Sequence, residues 1–359
     1  MALEPYSVQR YRPELRNAVL NLQRRHWSPD ASWNAEYFGW KYDQNPYMQD
    51  PCISLIFHRD ELVGMRAAFG SRWRRGNEEC TVPCAGDSVI TPPHRGLGLF
   101  RHIIAGLELD VEERGFSSLL NLSAGAATYL LSLRGGWHCL GSFAMMQAEA
   151  GPQIGAHDWR SPMDLRQAGL FASFDSQIHK AKARWGSRLV ADSKPRPREM
   201  AELARLTGAG DRIQHVRDEE YFNWRFRNPL SEYRFLYWGE GRLSGYLVLR
   251  VVLNRHNPGY YLADWEAEDL EVKRELLEAA RLLACDAPMR VWSATLSPES
   301  LGLLGRAGFQ TVPISSLSKR YEPGLLVKSL GRSAKSEEPE WLESDISNWA
   351  LRMADSDGC

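Results

Sequence analysis

The stretch "DSVITPPHRGLGLFRHIIAG", Asp87 to Gly106, holds the residues best suited to chemistry. A β-rich run stops at paired prolines, and Arg95-Gly96-Leu97-Gly98 then opens a long amphipathic helix. Glycines let a backbone approach a ligand closely, and the free N–H groups of a helix start face whatever anion lies there. Several such N–H bonds acting together suit a pyrophosphate, although the helix-end attraction alone is only about 0.3–1 kcal/mol per charge. The dinucleotide fingerprint is not met, because Arg101 stands where a third glycine belongs, and no Walker-type Lys-Ser/Thr follows.

The elements that must carry this loop occur twice. "EYFGWKYDQNPY" begins at Glu36 and "EYFNWRFRNPLSEY" at Glu220, with Trp40 and Trp224 in the same frame and an Asn-Pro after each. Repeats decide architecture before anything else does. Tyr37 and Trp40, like Tyr221 and Trp224, are three apart and share a helix face, which reads as packing on a sheet. Pro46 and Pro229 are expected to end those helices. Downstream the frame holds: Gly64 answers Gly245 between strand-like runs, Asp87 answers Asp264, and a helix-patterned segment follows each.

Each half therefore reads as a mixed α/β (α+β) unit. The expected organisation is an N-terminal lobe over 1–150, a helical connector over 151–188 with helical spacing at Leu170, Phe171, Phe174 and Ile178, a second lobe over 189–325, and a polar tail over 326–359. Trp341 and Trp349 either pin that tail or leave it disordered. Where the first lobe has its glycine loop, the second has "ADWEAEDLEVKREL". Glu266, Glu268 and Asp269 at that helix start would repel a pyrophosphate, so the second lobe is degenerate and serves to wall a cleft.

Ile90-Thr91-Pro92, Pro93-His94 and Arg95-Gly96-Leu97-Gly98 resemble, in order, the signature of the GNAT acyltransferases. Asn121, Ala127, Tyr129 and Gly136-Trp137 resemble its later elements. The likeness covers most of 5–150, with an echo through 189–325, so the whole resembles a tandem GNAT protein. Pro93 stands where many members carry Gln or Arg. The resemblance implies an acyl-CoA, acetyl-CoA in the simplest case, held by Ile90, Arg95, Gly96, Leu97, Gly98, Leu99, Phe100 and Asn121. It implies direct attack by an amine on the thioester, with no metal. An alkyl amine of pKa about 10.4 is mostly protonated near neutrality, so a base helps. Asp87 is the candidate base, the alternative being a carboxylate capping or pairing within the sheet. The family's general-acid position falls on Ser132, and Tyr129, one helical turn earlier, could take the role instead.

Composition bounds the partners. The chain has 359 residues, 43% of them hydrophobic and 25% charged, with a net charge of −1. That balance argues against a protein built to hold nucleic acid or a membrane surface. Six cysteines without CxxC pairs, no signal-like run and no span of about 18 apolar residues point to a reducing cytoplasmic setting. The expected activity is N-acetyl transfer to an amine of a small molecule or a sugar-linked acceptor. A Fem-like aminoacyl-tRNA-dependent ligase and a non-catalytic GNAT-fold binding protein are the alternatives.

Overall fold

The computed structural model describes residues 4–24, 27–150, 171–208, 210–252, 259–312, 323–331 and 339–356. The first half runs β1 (Tyr6–Arg10), α1 (Arg16–Gln23), α2 (Ala31–Phe38) continuing as a π-helical turn (Gly39–Asp43), β2 (Cys52–His58), β3 (Glu61–Arg75) and β4 (Glu78–Ile90). It continues with α3 (Leu99–Glu113), β5 (Ser118–Asn121), α4 (Ala126–Arg134), β6 (His138–Ser142) and β7 (Met145–Ala148). Helices α5 (Ala172–Ser176) and α6 (Ile178–Trp185) stand in the connector; most of it, including Leu170, lies outside the described residues.

The second half repeats the order as β8 (Leu189–Asp192), α7 (Pro197–Leu206), β9 (Gln214–His215), α8 (Glu219–Arg225), β10 (Ser231–Trp238), β11 (Gly245–Val252) and β12 (Tyr260–Ala267). It closes with α9 (Leu270–Leu283), β13 (Met289–Trp292), α10 (Pro298–Arg306), β14 (Gln310–Thr311) and β15 (Gly324–Ser329).

Two mixed sheets result, ordered β1-β2-β3-β4-β5-β15-β6 and β8-β10-β11-β12-β13-β7-β14. These orders are the same once each element is matched to its repeat, except that the last strands are exchanged. β7, from the first half, pairs with β13 and β14, and β15, from the second half, pairs with β5 and β6. The boundaries read from the sequence at 150 and 325 are therefore not those of the sheets. A strand's partners are set by long-range pairing, which its own residues do not announce. The short β9 adds to β3 through Trp73↔His215 and Arg74↔Gln214, so the long β3–β4 hairpin reaches the second lobe.

The repeated tryptophans pack on each other instead of each on its own sheet. Trp40 and Trp224 stack with ring centroids 5.2 Å apart and planes 12° from parallel. Trp40 Nε1 donates to the Trp224 carbonyl at 2.9 Å, and Trp224 Nε1 donates to the Trp40 carbonyl at 2.8 Å. The Asn-Pro that follows is a turn device. Asn45 Oδ1 accepts the N–H groups of Tyr47 and Met48, both at 2.9 Å, and Asn228 Oδ1 accepts that of Leu230 at 3.0 Å. The helical winding of the first copy runs on through the π turn to Asp43, nearly reaching Pro46, whereas α8 stops at Arg225.

The tail is pinned by its tryptophans. Trp341 Nε1 donates to Glu78 at 2.9 Å, and Trp349, fully buried, meets Trp73 edge-on at 5.1 Å. Both tryptophans and the Trp40–Trp224 pair belong to one core that spans the two sheets.

Two outcomes follow from this packing. Residues 1–150 expressed alone lack β15 and should give no cooperative unfolding transition by circular dichroism, while co-expression with 151–359 should restore one. The second concerns His215, enclosed by the rings of Tyr221, Trp73 and Tyr47 at 4.6, 5.0 and 5.5 Å. Burial pulls its imidazole down to about 3, so it is neutral in the fold yet protonates in the unfolded chain below about 6.5. The unfolded state then binds more protons, and stability should fall with pH below about 6.5 by up to about 1.4 kcal/mol per unit. Urea unfolding between pH 7 and 4.5 should show this slope, and His215→Phe should flatten it.

Candidate active site

The glycine loop sits at the end of β4, above α3. Gly96 and Gly98 have φ of 78° and 74°, a conformation that costs glycine nothing. A Cβ added at either would meet no atom within 4 Å, so their role is to turn the backbone and leave open space before it. Gly98 is the N-cap of α3, with no side-chain cap and no acidic residue in the first turn. Leu99 is buried, Phe100 half-buried, and Leu97 57% exposed at the tip. Arg95 folds back, its Nε donating to the Ile90 carbonyl at 2.8 Å, and so fastens the loop to the strand end.

The corresponding helix of the second lobe is already occupied by its own anion. Asp269 caps α9, its carboxylate accepting the Val272 N–H at 2.8 Å, and Glu271 lies in the first turn. Glu268 pairs with Arg242. The orphan N–H groups that are open in α3 thus meet carboxylates in α9.

Beside the loop the first sheet opens. Among the described residues β4 meets β5 only at Cys84↔Leu120, and β4 then continues to Ile90 without a neighbour on that side. Asn121, at the end of β5, is 1% exposed; its Oδ1 accepts the Ser123 N–H at 2.9 Å, and its Nδ2 is buried without a partner. On α4, Tyr129 is half-buried, packed with Phe100 against the core beneath α3, whereas Ser132 is fully buried and its hydroxyl has no partner.

Asp87, expected as the general base, is placed otherwise. Its side chain has no exposure, and Lys41, equally buried, lies 2.9 Å away. Its Oδ1 also accepts from Tyr37 Oη at 3.3 Å, and its Oδ2 accepts from Tyr42 Oη at 2.7 Å. A carboxylate enclosed by an ammonium and two phenols, with no exposure of its side chain, has no path to an amine. Asp87 is a buried, ion-paired carboxylate whose partners come from α2 and the π turn and not from within the sheet. Removing one partner from a buried pair of this kind costs about 3–5 kcal/mol, because the other charge is left uncompensated. Burial, with the Asp87 charge adding to it, raises Tyr42 well above the ordinary phenol, so Tyr42 remains a donor.

Sequence reasoning places Tyr37 on the packing face of its helix and does not reach Lys41 or Tyr42 as partners of Asp87. Their signal was nonetheless within the repeat, as the Tyr-Phe-x-Trp-Lys-Tyr run whose π turn aims three polar groups at one carboxylate.

The second lobe keeps an aspartate at the matching place. Asp87 lies three residues before Ile90, which faces Gly64, and Asp264 lies three before Ala267, which faces Gly245. Asp264 pairs with Arg217 at 3.0 Å and Arg352 at 3.1 Å, and the same two arginines hold Glu266 at 2.8 Å. Against the upward pull of burial, those arginines hold the Glu266 carboxyl at about 2. Arg352 comes from the tail, which continues to Ser356, where Oγ donates to the Leu122 carbonyl at 3.3 Å just beyond β5. Arg225 grips the carbonyls of Ala354 and Ser356 on the way.

By sequence, no family model and no curated protein matches the chain. Solved structures do. A GCN5-related N-acetyltransferase from Anabaena variabilis aligns with a TM-score of 0.58 at 14% identity, covering 91% of this chain and 73% of that one. A probable N-acyltransferase from Enterococcus faecalis aligns at 0.57 and 9% identity, with coverage of 91% and 73%. N-myristoyltransferase from Saccharomyces cerevisiae, solved with myristoyl-CoA bound, aligns at 0.56 and 11% identity, covering 98% of this chain and 88% of that one. The doubled mixed sheet and these alignments agree with the resemblance read from the loop: the chain has the GNAT fold of the GCN5-related N-acetyltransferases and N-myristoyltransferases.

Proposed function

We propose that the chain is an acyl-CoA-dependent N-acyltransferase, with acetyl-CoA as the donor to be tested first and an amine of a small molecule or sugar-linked compound as the acceptor. The observation that carries this reading is the uncapped, glycine-turned start of α3 beside the open edge of β4, set against the carboxylate-filled start of α9. Fold-mates include a GCN5-related N-acetyltransferase and an N-myristoyltransferase with its acyl-CoA. The acceptor is argued from its chemistry, as a nucleophile that can take an acyl group from a thioester, in a cytoplasmic setting.

The residues divide the work as follows. The N–H groups at Gly96, Gly98 and Leu99 face the pyrophosphate, where several weak bonds and the helix end act together. From Ile90 back to Ala85 the open edge of β4 spans about 16 Å at 3.3 Å per residue, a ready partner for the amides of an extended pantetheine arm. Asn121 offers a buried amide donor on the facing strand. The neutral amine nitrogen attacks the thioester carbonyl and forms the C–N bond, the C–S bond breaks, the nitrogen releases its extra proton to solvent, and the thiolate takes a proton. Tyr129 suits that donation better than Ser132, having partial exposure and a phenol, a group whose ordinary pKa of about 10 is closer to a thiol's than that of a serine hydroxyl. Ser132, sealed in the core, is a packing residue in this scheme.

Isothermal titration with coenzyme A should find one site per chain. Gly98→Glu should remove it, because the substitution gives α3 both a strained positive φ and the anion that α9 already has. Two equal sites, or unchanged binding in this variant, would contradict the assignment. For the proton donor, Tyr129→Phe should lower thiol release from acetyl-CoA by roughly 10²-fold or more with the melting temperature retained. Ser132→Ala should leave turnover near the starting value. The reverse pattern would transfer the role to Ser132.

A further inference from the structure

Arg250, near the end of β11, is a buried cation without a counter-ion. It is 2% exposed, its Nε donates to Ser231 Oγ at 2.8 Å, and its Nη1 is buried without a partner. Among the described residues no carboxylate pairs with it. Other enclosed arginines are compensated: Arg217 holds Asp264 and Glu266, and Arg225 grips the carbonyls of Ala354 and Ser356. A guanidinium cannot shed its proton, so an unpaired one in the core opposes folding until an anion reaches it.

Two more orphan donors lie beside it. Tyr233 faces Arg250 across the β10–β11 ladder and shares its side of the sheet, and its Oη is buried without a partner. Asn228 is tied to the start of β10, its carbonyl accepting the Ser231 N–H at 3.2 Å. Its Oδ1 is taken by Leu230, whereas its Nδ2 is buried without a partner. The row of facing residues then runs through Tyr261 on β12 and Arg290 on β13 to Gln147 on β7, with the Arg290 guanidinium 5.7 Å from the centre of the Tyr261 ring. Tyr261 and Gln147 are half-buried, so the row is not sealed.

The first lobe supplies an internal control. Five residues on from Gly64 it has Phe69, in the core that spans both sheets, where the second lobe has Arg250 five residues on from Gly245. Asn45, the counterpart of Asn228, donates its Nδ2 to the Gly70 carbonyl at 3.0 Å. The shared frame is therefore satisfied with a ring and a bonded amide. Only the second lobe gathers a cation and unused donors at this place.

We propose that Arg250, Tyr233 and Asn228 bind the carboxylate of a small molecule in the second lobe. A guanidinium N–H, a phenol O–H and an amide N–H are the groups left over, and a carboxylate is an acceptor alone, with about four lone-pair sites on two oxygens. Its plane also matches the guanidinium fork, and its charge supplies what Arg250 lacks. The inference stands apart from the acyl-CoA reading. It gives the lobe without an open helix start a binding task of its own.

The test is thermal unfolding of the full chain near neutral pH, with sodium acetate replacing sodium chloride at constant ionic strength. The melting temperature should rise by roughly 2 °C for each tenfold in acetate once the site begins to fill. Arg250→Met puts an apolar chain in place of the unpaired charge. It should melt no lower than the starting protein in chloride and should lose the acetate-dependent rise. Tyr233→Phe, which deletes one orphan hydroxyl, should fold and lose part of it. Sodium phosphate should give a smaller rise than acetate. No rise with acetate, or one that persists undiminished in both variants as a general salt effect, overturns the site. So does an Arg250→Met protein that melts several degrees lower in chloride or fails to fold, since its guanidinium would then be compensated within the fold. A larger rise with phosphate overturns the carboxylate assignment.

Discussion

The two halves of this chain are organised about one reciprocal contact. Trp40 and Trp224 stack face to face, and each indole N–H donates to the other's backbone carbonyl. A pair of identical bonds exchanged between equivalent residues is what a two-fold relation produces. The helices that carry the tryptophans must therefore approach each other in one orientation. With that orientation fixed, the sheets lie close enough for β7 and β15 to cross over and complete each other's lobes. It also brings the β3–β4 hairpin of the first lobe to β9 and α8 of the second, where Arg72 pairs with Asp218.

From this near-symmetric frame the two lobes diverge at the same few positions. A helix start that is open in one lobe is capped by Asp269 in the other. An aspartate three residues before the strand's facing position is held by Lys41 and two phenols in one lobe, and by Arg217 and the tail's Arg352 in the other. The residue after each repeated Trp shows the same divergence. Lys41 turns inward to Asp87, whereas Arg225 turns to the tail and grips its carbonyls. One lobe leaves its helix start open, and the other has filled the matching place with its own side chain.

The tail deepens that asymmetry. It leaves β15 in the first sheet and is held by Trp341 and Trp349. Through Arg352 it then supplies half of the cations of the second lobe's carboxylate cluster. Its described end lies at Leu122, beyond the last residue of β5. Residues 339–356, polar in composition, are thus held by a few large aromatic anchors and by arginines that satisfy their backbone carbonyls, as buried polar groups require.

The repeat, the mixed α/β character of each half, the glycine loop and the acidic replacement of that loop in the second half are legible in the residues alone. All of these are local patterns, carried by spacing, by glycines that permit positive φ and by charges at a helix start. Which strands belong to which sheet is settled by folding, because β7 and β15 find their partners across the whole chain. Folding also decides what Asp87 is. Its place at the end of a strand before the loop is equally good for a base and for a buried ion pair. The difference lies in the π turn some fifty residues earlier, which sets Lys41 and Tyr42 against it and closes off solvent. A carboxylate's chemistry follows from the groups that surround it, and those come from a part of the chain that Asp87 meets only after folding.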